Sequence, residues 1–263
     1  MLKSRTYLAK VRKTAEAGYV QDDIGKITLE RPDLLVLDCD GVVIDSEVIS
    51  ARTLIGLLSQ WDIRIDMEFV RQHFLGRSFP TVAGCVYDLF QVRLPNDFEA
   101  DYRQRLFEAF ETELQLVDGI EDLLDALAIP YCVATSSSPL RVTRSLDLTG
   151  VLHRFEGRIF TASQVANGKP APDIFLHVAK TLNVQPGKCL VIEDSGVGLQ
   201  AALSAGMQAV WFTGGSHMRK MDVTEIEVAG FPQGPHLTID HFEALFEHVP
   251  SMRRGPDGEN HGC

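Results

Sequence analysis

The sequence predicts an α/β fold, a doubly wound parallel sheet with a small all-helical segment inserted after its first strand. Three observations predict it. Short runs at 33–38 (DLLVLD), 130–135 (PYCVAT), 157–161 (GRIFT), 189–193 (CLVIE) and 208–212 (QAVWF) are apolar nearly throughout rather than alternating. That is the pattern of parallel strands covered on both faces. Helical periodicities lie between these runs, and such alternation implies crossover connections and an open sheet. Between about 47 and 115 the rhythm breaks, with four helical patterns and no strand.

Taken in order, residues 1–31 read as an N-terminal extension. It carries Lys3, Arg5, Lys10, Arg12 and Lys13 with no acid before Glu16. A transit peptide has that composition, but the expectation is an appended helix or a loose tail. The core is expected over 32–46 and 116–248. The helical insertion at 47–115 comprises segments 47–61, 66–75, 78–91 and 97–115, and its junctions near 44–47 and 114–119 are expected hinges. Ile120, Leu123, Leu124 and Leu127 follow helical spacing, as do Leu199, Ala202, Leu203 and Gly206. Ser138 before Pro139 marks the start of a helix at 139–149. Residues 171–183 form a further helix that ends at Asn183. HLTI at 236–239 adds a possible strand, and 249–263 is expected to be a disordered tail.

The chain has 263 residues, is 45% hydrophobic and carries a net charge of −11. An acidic chain without basic clusters disfavours nucleic acid, and no run approaches a membrane span. Cys39, Cys85, Cys132, Cys189 and Cys263 are odd in number and contain no CxxC. Neither zinc nor a disulfide framework follows, and a cytoplasmic location fits. The expected state is a monomer or weak homo-oligomer.

Ligands of open α/β sheets bind beyond the carboxyl ends of the strands. There the first strand delivers Asp38 and Asp40, the second Thr135, Ser136, Ser137 and Ser138, and the fourth Glu193 and Asp194, with Lys169 in the loop NGKPAPD. Four carboxylates cannot all stay ionised in one crevice unaided. Oxygen donors without His or Cys point to Mg²⁺. A metal, a lysine and hydroxyl donors suit a phosphoryl group. Asp38 and Asp40 share a face while the chain is extended, and a turn at Gly41 swings Asp40 over the site. One carboxylate can then attack phosphorus while the other handles the proton. Cys39 falls on the opposite face, in the core.

Four stretches, DCDGVVIDSE, ATSSS, GKPAPDIF and VIEDSGVGLQAALSAGM, resemble in order the four motifs of the haloacid dehalogenase (HAD) superfamily. The closer resemblance is to its phosphatase and β-phosphoglucomutase branch, which has a Rossmann-like core and a helical cap in the place of this insertion. The resemblance runs from about residue 32 to 245. It implies Asp38 as the nucleophile that forms an aspartyl-phosphate and Asp40 as the general acid, then base. It further implies Thr135 and Ser136, with Ser137, as holders of phosphoryl oxygens, and Lys169 as the group steadying nucleophile and phosphate. Mg²⁺ would be held by Asp38, Glu193 and Asp194, with the backbone carbonyl of Asp40. Gly76 and Arg77 are the expected cap contacts to substrate, with Arg71, Arg103 and Arg105 as further cap arginines.

The implied activity is a phosphatase acting on a small phosphorylated metabolite, a sugar phosphate or phospho-sugar acid. The segment SEVISARTLIGLLSQWDIRID also resembles bacterial 6-phosphogluconate phosphatases. A phosphomutase is the alternative. However, Ser50 stands where mutases carry a His, and Phe79 stands three residues after Gly76 where they carry an Arg. A receiver-type signalling module would also use a phosphorylatable Asp, but its acid pair comes first and it has no helical insertion. The chain lacks GxGxxG after the first strand, and no Cys is followed six residues later by Arg. Dinucleotide binding and Cys-based phosphatase chemistry are thereby excluded.

Overall fold

The computed structural model describes residues 12–13, 19–21, 27–219, 228, 230, 231 and 234–255. In chain order the elements are β1 (Arg12–Lys13), β2 (Tyr19–Gln21), β3 (Ile27–Leu29) and β4 (Leu34–Leu37), then helices α1 (Glu47–Leu58), α2 (Met67–His73), α3 (Phe79–Phe90), α4 (Phe98–Glu113) and α5 (Ile120–Ala126). There follow β5 (Tyr131–Thr135), α6 (Pro139–Leu148), β6 (Ile159–Thr161), α7 (Asp173–Thr181), β7 (Cys189–Glu193), α8 (Gly196–Ser204), β8 (Gln208–Phe212), β9 (Leu237–Ile239) and α9 (Glu243–His248).

Strands β4–β9 form one six-stranded sheet in the order β6-β5-β4-β7-β8-β9, with every pairing parallel. The chain winds from β4 to one edge and then returns to the other side of it. β4 is therefore the topological switch point, where the crossing loops part and leave a crevice. Both faces are buried, as the apolar runs require. Leu35, Leu37, Val133, Leu190, Ile192 and Val210 face one core with α5, α6 and α9. Leu34, Val36, Cys132, Ala134, Val191 and Ala209 face the other with α7 and α8. Neighbouring residues thus alternate between two cores rather than between core and water. Cys39 is fully buried in the first core, and Cys39, Cys85, Cys132 and Cys189 are free thiols. Cys263 lies outside the described residues.

Helices α1–α4 share a separate apolar cluster, which includes Leu54, Leu58, Phe74, Val86, Leu106 and Phe110. The two chain crossings between this cluster and the sheet run side by side. Ile44 bridges Leu116, Asp45 N–H donates to Gln115 O at 2.9 Å, and Val117 N–H donates to Val43 O at 3.1 Å. Among the described residues no helix is long and apolar enough to cross a membrane.

Two terminal expectations are corrected. The described parts of the N-terminal extension are neither a helix nor a loose tail. β1, β2 and β3 pair antiparallel in a small sheet, consistent with the β-forming residues Tyr19, Val20, Ile27 and Thr28. The C-terminal tail starts later than 249. Met252 is fully buried in the first core, Met252 O accepts from Ala128 N–H at 2.7 Å, and Arg254 N–H donates to Ala126 O at 2.8 Å. Val249 and Met252, both buried in the first core, and a bridge between Leu127 and Arg253 hold the segment down; residues 256–263 lie outside the described residues.

Met252→Ala should therefore cost about 2–5 kcal/mol, the usual range for emptying a buried methionine site. Urea unfolding of the two proteins would measure it, and a change within ±0.5 kcal/mol would mean that the segment does not pack.

Candidate active site

The carboxyl ends of β4, β5 and β7 converge as the switch point requires. Asp38 follows β4 directly and Glu193 ends β7; both are buried, as are Asp40, Asp194, Thr135 and Lys169. Lys169 Nζ donates to Asp38 Oδ1 at 2.5 Å, to Glu193 Oε1 at 2.7 Å and to Ala134 O at 3.1 Å. Its side chain is 1% exposed. A long flexible ammonium is thus fixed by two carboxylates and a carbonyl, which supply the partners that a buried charge needs. The other oxygen of Glu193 accepts from Ser195 N–H at 2.9 Å and Ser195 Oγ at 2.8 Å. Ser195 Oγ in turn accepts from Gly198 N–H at 3.2 Å and caps α8.

Glycines make the close approach possible. Gly41 has φ +78°, and a Cβ there would stand 2.1 Å from Asp194 Oδ2. A Cβ at Gly198 would stand 1.8 Å from Glu193 Oε1. The turn at Gly41 is closed by its N–H donating to Ile44 O at 2.8 Å, and it carries Asp40 off the strand line as the sequence predicts.

Asp40 belongs to a second network. Its Oδ1 accepts from Ser46 Oγ and from an Arg141 guanidinium nitrogen, each at 2.6 Å, and its Oδ2 accepts from Ser137 Oγ at 2.6 Å. The same Arg141 nitrogen donates to Ser50 Oγ at 2.9 Å. Ser46 stands at the N-cap of α1 but makes no side-chain cap bond, because its hydroxyl is spent on Asp40.

The expected substrate-binding residues Thr135, Ser136, Ser137, Gly76 and Arg77 line one crevice with Asp38 and Asp40. Ser137 faces Asp40, Thr135 Oγ1 accepts from Ser137 N–H at 3.0 Å, and Ser136 Oγ donates to Gly76 O at 3.0 Å. Gly76, at φ +72°, is a point where the helical segment meets the core, and a Cβ there would stand 2.3 Å from Ser195 Oγ. Arg77 lines the same cavity as Asp38 and Asp40. The Asp40 carboxylate lies outside the acid cluster described next, which leaves its backbone carbonyl as the expected metal donor. Sequence reasoning missed Arg141, Ser46, Glu47 and His217 as site residues. For Arg141 a signal existed: the Ser138–Pro139 start aims the first turn of α6 at the crevice, and Arg141 is in that turn.

The donor set fits a hard divalent cation. Asp38, Glu193 and Asp194 each offer an oxygen within 4.8 Å of the others. Asp194 Oδ2 is buried without a hydrogen-bond partner. His217 Nε2 approaches it to 3.0 Å but without hydrogen-bond geometry, and both ring nitrogens are unpartnered. Burial lowers the His217 pKa below its ordinary value, so the ring is neutral at pH 7 and supplies no charge. Charge balance agrees. Asp38, Asp40, Glu193 and Asp194 stand against Lys169 and Arg141. Two negative charges remain, the charge of one divalent ion.

Without such an ion, burial pushes the Asp38 carboxyl well above the usual range; Lys169 opposes the shift, and Glu193 and Asp194 reinforce it. Burial and Glu193 push Asp194 the same way. Asp40 goes in the opposite direction. Burial works to raise it, but Arg141 and the hydroxyls of Ser137 and Ser46 hold it below the ordinary carboxylate value. Glu47, at the start of α1, is pushed up to about 8 by burial and by Asp40 and Asp194. In the metal-free site Asp38 therefore holds its proton and Asp40 is ionised, the reverse of what a nucleophile and a general acid need; a divalent cation on Asp38 would ionise it.

Two expectations follow. Gly198→Ala should displace Glu193 and cost several kcal/mol, on the order of a broken buried ion pair; thermal unfolding would read it, and an unchanged midpoint would refute the packing. The second concerns pH. Asp38 and Asp194 have folded-state pKa values above their ordinary 3.8. They stabilise the metal-free protein in full below that pH, and this contribution is lost as pH rises through the folded values. Asp40, shifted down, has already given its full contribution above 3.8. Metal-free protein should thus lose stability from about pH 4 upward, and Mg²⁺ should restore it increasingly at higher pH. Melting curves with EDTA and with Mg²⁺ across pH 4–8 would test this; parallel curves would contradict it.

Comparison with known proteins agrees with this geometry. Residues 32–206 match the model of the haloacid dehalogenase-like hydrolase family. The chain is 30% identical over 190 residues to the 6-phosphogluconate phosphatase of Escherichia coli, covering 72% of this chain and 86% of that protein. It is 32% identical over 190 residues to the fructose-1-phosphate phosphatase of the same organism, covering 69% of this chain and 96% of that one. A haloacid dehalogenase-like protein of unknown function from Agrobacterium tumefaciens superposes with a TM-score of 0.68 at 30% identity, over 84% of this chain and 98% of that chain. Fold, site geometry and family match agree, and the chain belongs to the haloacid dehalogenase-like hydrolases.

Proposed function

We propose that this chain is a Mg²⁺-dependent phosphatase that hydrolyses a small phosphorylated metabolite, a sugar phosphate or phospho-sugar acid, in the cytoplasm. The observation that carries the reading is Lys169 clamped between Asp38 and Glu193 at the switch point of the sheet, beside the unpartnered Asp194 oxygen. Activities named for two relatives, towards 6-phosphogluconate and fructose 1-phosphate, support the substrate class.

In this reading an Asp38 oxygen attacks phosphorus, the P–O bond to the alcohol breaks, and Asp40 gives its proton to the departing oxygen. Water then attacks the aspartyl-phosphate, Asp40 takes its proton, and inorganic phosphate leaves with Asp38 regenerated. Lys169 holds the nucleophile in one rotamer and offsets its charge. Arg141, Ser46 and Ser137 keep Asp40 ionised before substrate arrives; the phosphoryl group placed beside it then raises its proton affinity, and as substrate binds Asp40 takes up from solvent the proton that it gives to the departing oxygen. Asp38, Glu193, Asp194 and the Asp40 carbonyl would hold Mg²⁺, which supplies Lewis-acid stabilisation of the phosphoryl oxygens. Ser50, bonded to Arg141 in the place of the mutase histidine, supports release to water over phosphoryl return.

Phosphate release from an aryl phosphate should require Mg²⁺, cease in EDTA, and fall by about a thousandfold or more in Asp38→Asn. Residual activity near wild type in that variant would rule out the covalent route. Interconversion of sugar 1- and 6-phosphates would favour the mutase instead.

A further inference from the structure

Asp194 is the acid of the cluster that Lys169 does not hold. Asp38 and Glu193 both accept from its ammonium, and Glu193 accepts further from Ser195. The side chain that meets Asp194 is His217, whose Nε2 lies 3.0 Å from Oδ2. That side chain is 5% exposed, and neither ring nitrogen nor Asp194 Oδ2 has a hydrogen-bond partner. An imidazole that only filled space would leave buried polar atoms unsatisfied where an apolar ring would not. A carboxylate beside Nε2 favours the tautomer that carries the proton there. A carboxylate oxygen has two lone pairs, room for an ion and for a donor. The pair stands at hydrogen-bond distance and lacks the angle. The χ2 torsions of Asp and His are broad, so a turn of either side chain can supply it.

The fold keeps the ring in this place. Ser216 ties the turn at 215–219 to Asp45 through its N–H at 3.1 Å and its Oγ at 2.8 Å. Met218, the next residue along, is buried in the second core, and its N–H donates to Gly215 O at 3.0 Å. Two glycines make room for the imidazole. A Cβ at Gly215 would stand 2.7 Å from His217 Cε1, and one at Gly41 would stand 2.9 Å from the same atom. The ring is not itself a ligand in this arrangement. Two donors on one Mg²⁺, each at about 2.1 Å, stand no more than about 4.2 Å apart. Asp38, Glu193 and Asp194 come within 4.8 Å of one another, and among the described residues His217 belongs to no such group of three. Nor does it line the crevice that contains Asp38, Asp40 and Thr135. It lines a neighbouring cavity of about 250 Å³, with Met67, Glu68 and Arg71.

We propose that His217 is a positioning residue of the metal centre: it donates from Nε2 to Asp194, orients that carboxylate towards a divalent cation, and so sets how tightly the cation is held. It neither ligates the ion nor touches substrate. The role rests on the Mg²⁺-dependent reading of the site and adds to it a partner one step removed from the ion. Loss of such a partner weakens metal binding by about ten- to a hundredfold.

Calorimetric titration of Mg²⁺ and of Mn²⁺ into substrate-free protein tests it, comparing wild type, His217→Phe and His217→Gln. His217→Phe keeps the bulk of the ring without its nitrogens and should weaken both ions by about tenfold or more. His217→Gln offers an amide N–H in place of Nε2–H and should recover most of the affinity. In turnover of an aryl phosphate the loss should appear in the Mg²⁺ concentration needed for half-maximal rate, while KM for the ester at saturating Mg²⁺ moves by less than about twofold. Proton–nitrogen NMR of the imidazoles reads the unsubstituted protein. Added Mg²⁺ should shift the signals of one ring protonated at Nε2, the ring that is absent from His217→Gln, and this holds even if His217→Phe does not fold. Mg²⁺ affinity in His217→Phe within about threefold of wild type, equal losses in the two variants, or His217 signals indifferent to Mg²⁺ would overturn the proposal. If wild type binds no divalent ion, the Mg²⁺ reading fails and the proposal with it; ion binding that is intact in His217→Phe removes the proposal alone.

Discussion

The architecture of this site depends on one buried ammonium. The switch point of the sheet brings Asp38, Glu193 and Asp194 to one place, and bringing like charges together in a dry crevice is unfavourable by itself. Lys169 answers that problem for two of the three carboxylates through bonds of 2.5 and 2.7 Å. Its Nζ lies over the Phe175 ring of α7, 5.2 Å from the ring centre, so an aromatic face adds to the carboxylates that hold the charge. Asp194 is outside its reach, and that unsatisfied oxygen marks where a metal ion belongs. The ammonium and a divalent cation therefore divide the neutralisation between them.

Asp40 is governed by different neighbours. It stands only two residues from Asp38, yet Gly41 turns it into a network of Ser46, Ser137 and Arg141. This separation gives two adjacent carboxyls opposite proton affinities from one short stretch of chain. Asp45 extends the arrangement, since its Oδ1 accepts from Ser216 N–H at 3.1 Å and Oγ at 2.8 Å and ties the loop carrying His217 to the first strand's turn.

Much of this was legible because burial leaves a plain mark on sequence. Strands covered on both faces must be apolar at every position, so the runs at 33–38, 130–135, 189–193 and 208–212 stand out, and the acids at their ends stand out against them. The helical patterns between 47 and 115 were equally clear, because α1–α4 bury a single stripe each. What could not be read were contacts set by juxtaposition alone. Arg141 meets Asp40 across 101 positions, and Ser216 meets Asp45 across 171. Local pattern carries no trace of either. Ser46 was obscured for another reason: a serine before a helix reads as a cap, and here the hydroxyl is used elsewhere. Met252 was hidden by its surroundings, a lone apolar residue among Arg, Gly and Pro, and the short N-terminal strands lack the length that makes alternation visible.

The hydroxyl that α1 gives up at its first turn has a mechanical meaning. Ser46 stands immediately before α1 and Ser50 in its first turn; one donates to Asp40 and the other accepts from the arginine that holds Asp40. The position of the proton-handling carboxyl is thus tied, by one direct bond and one relayed through Arg141, to the place where α1 begins.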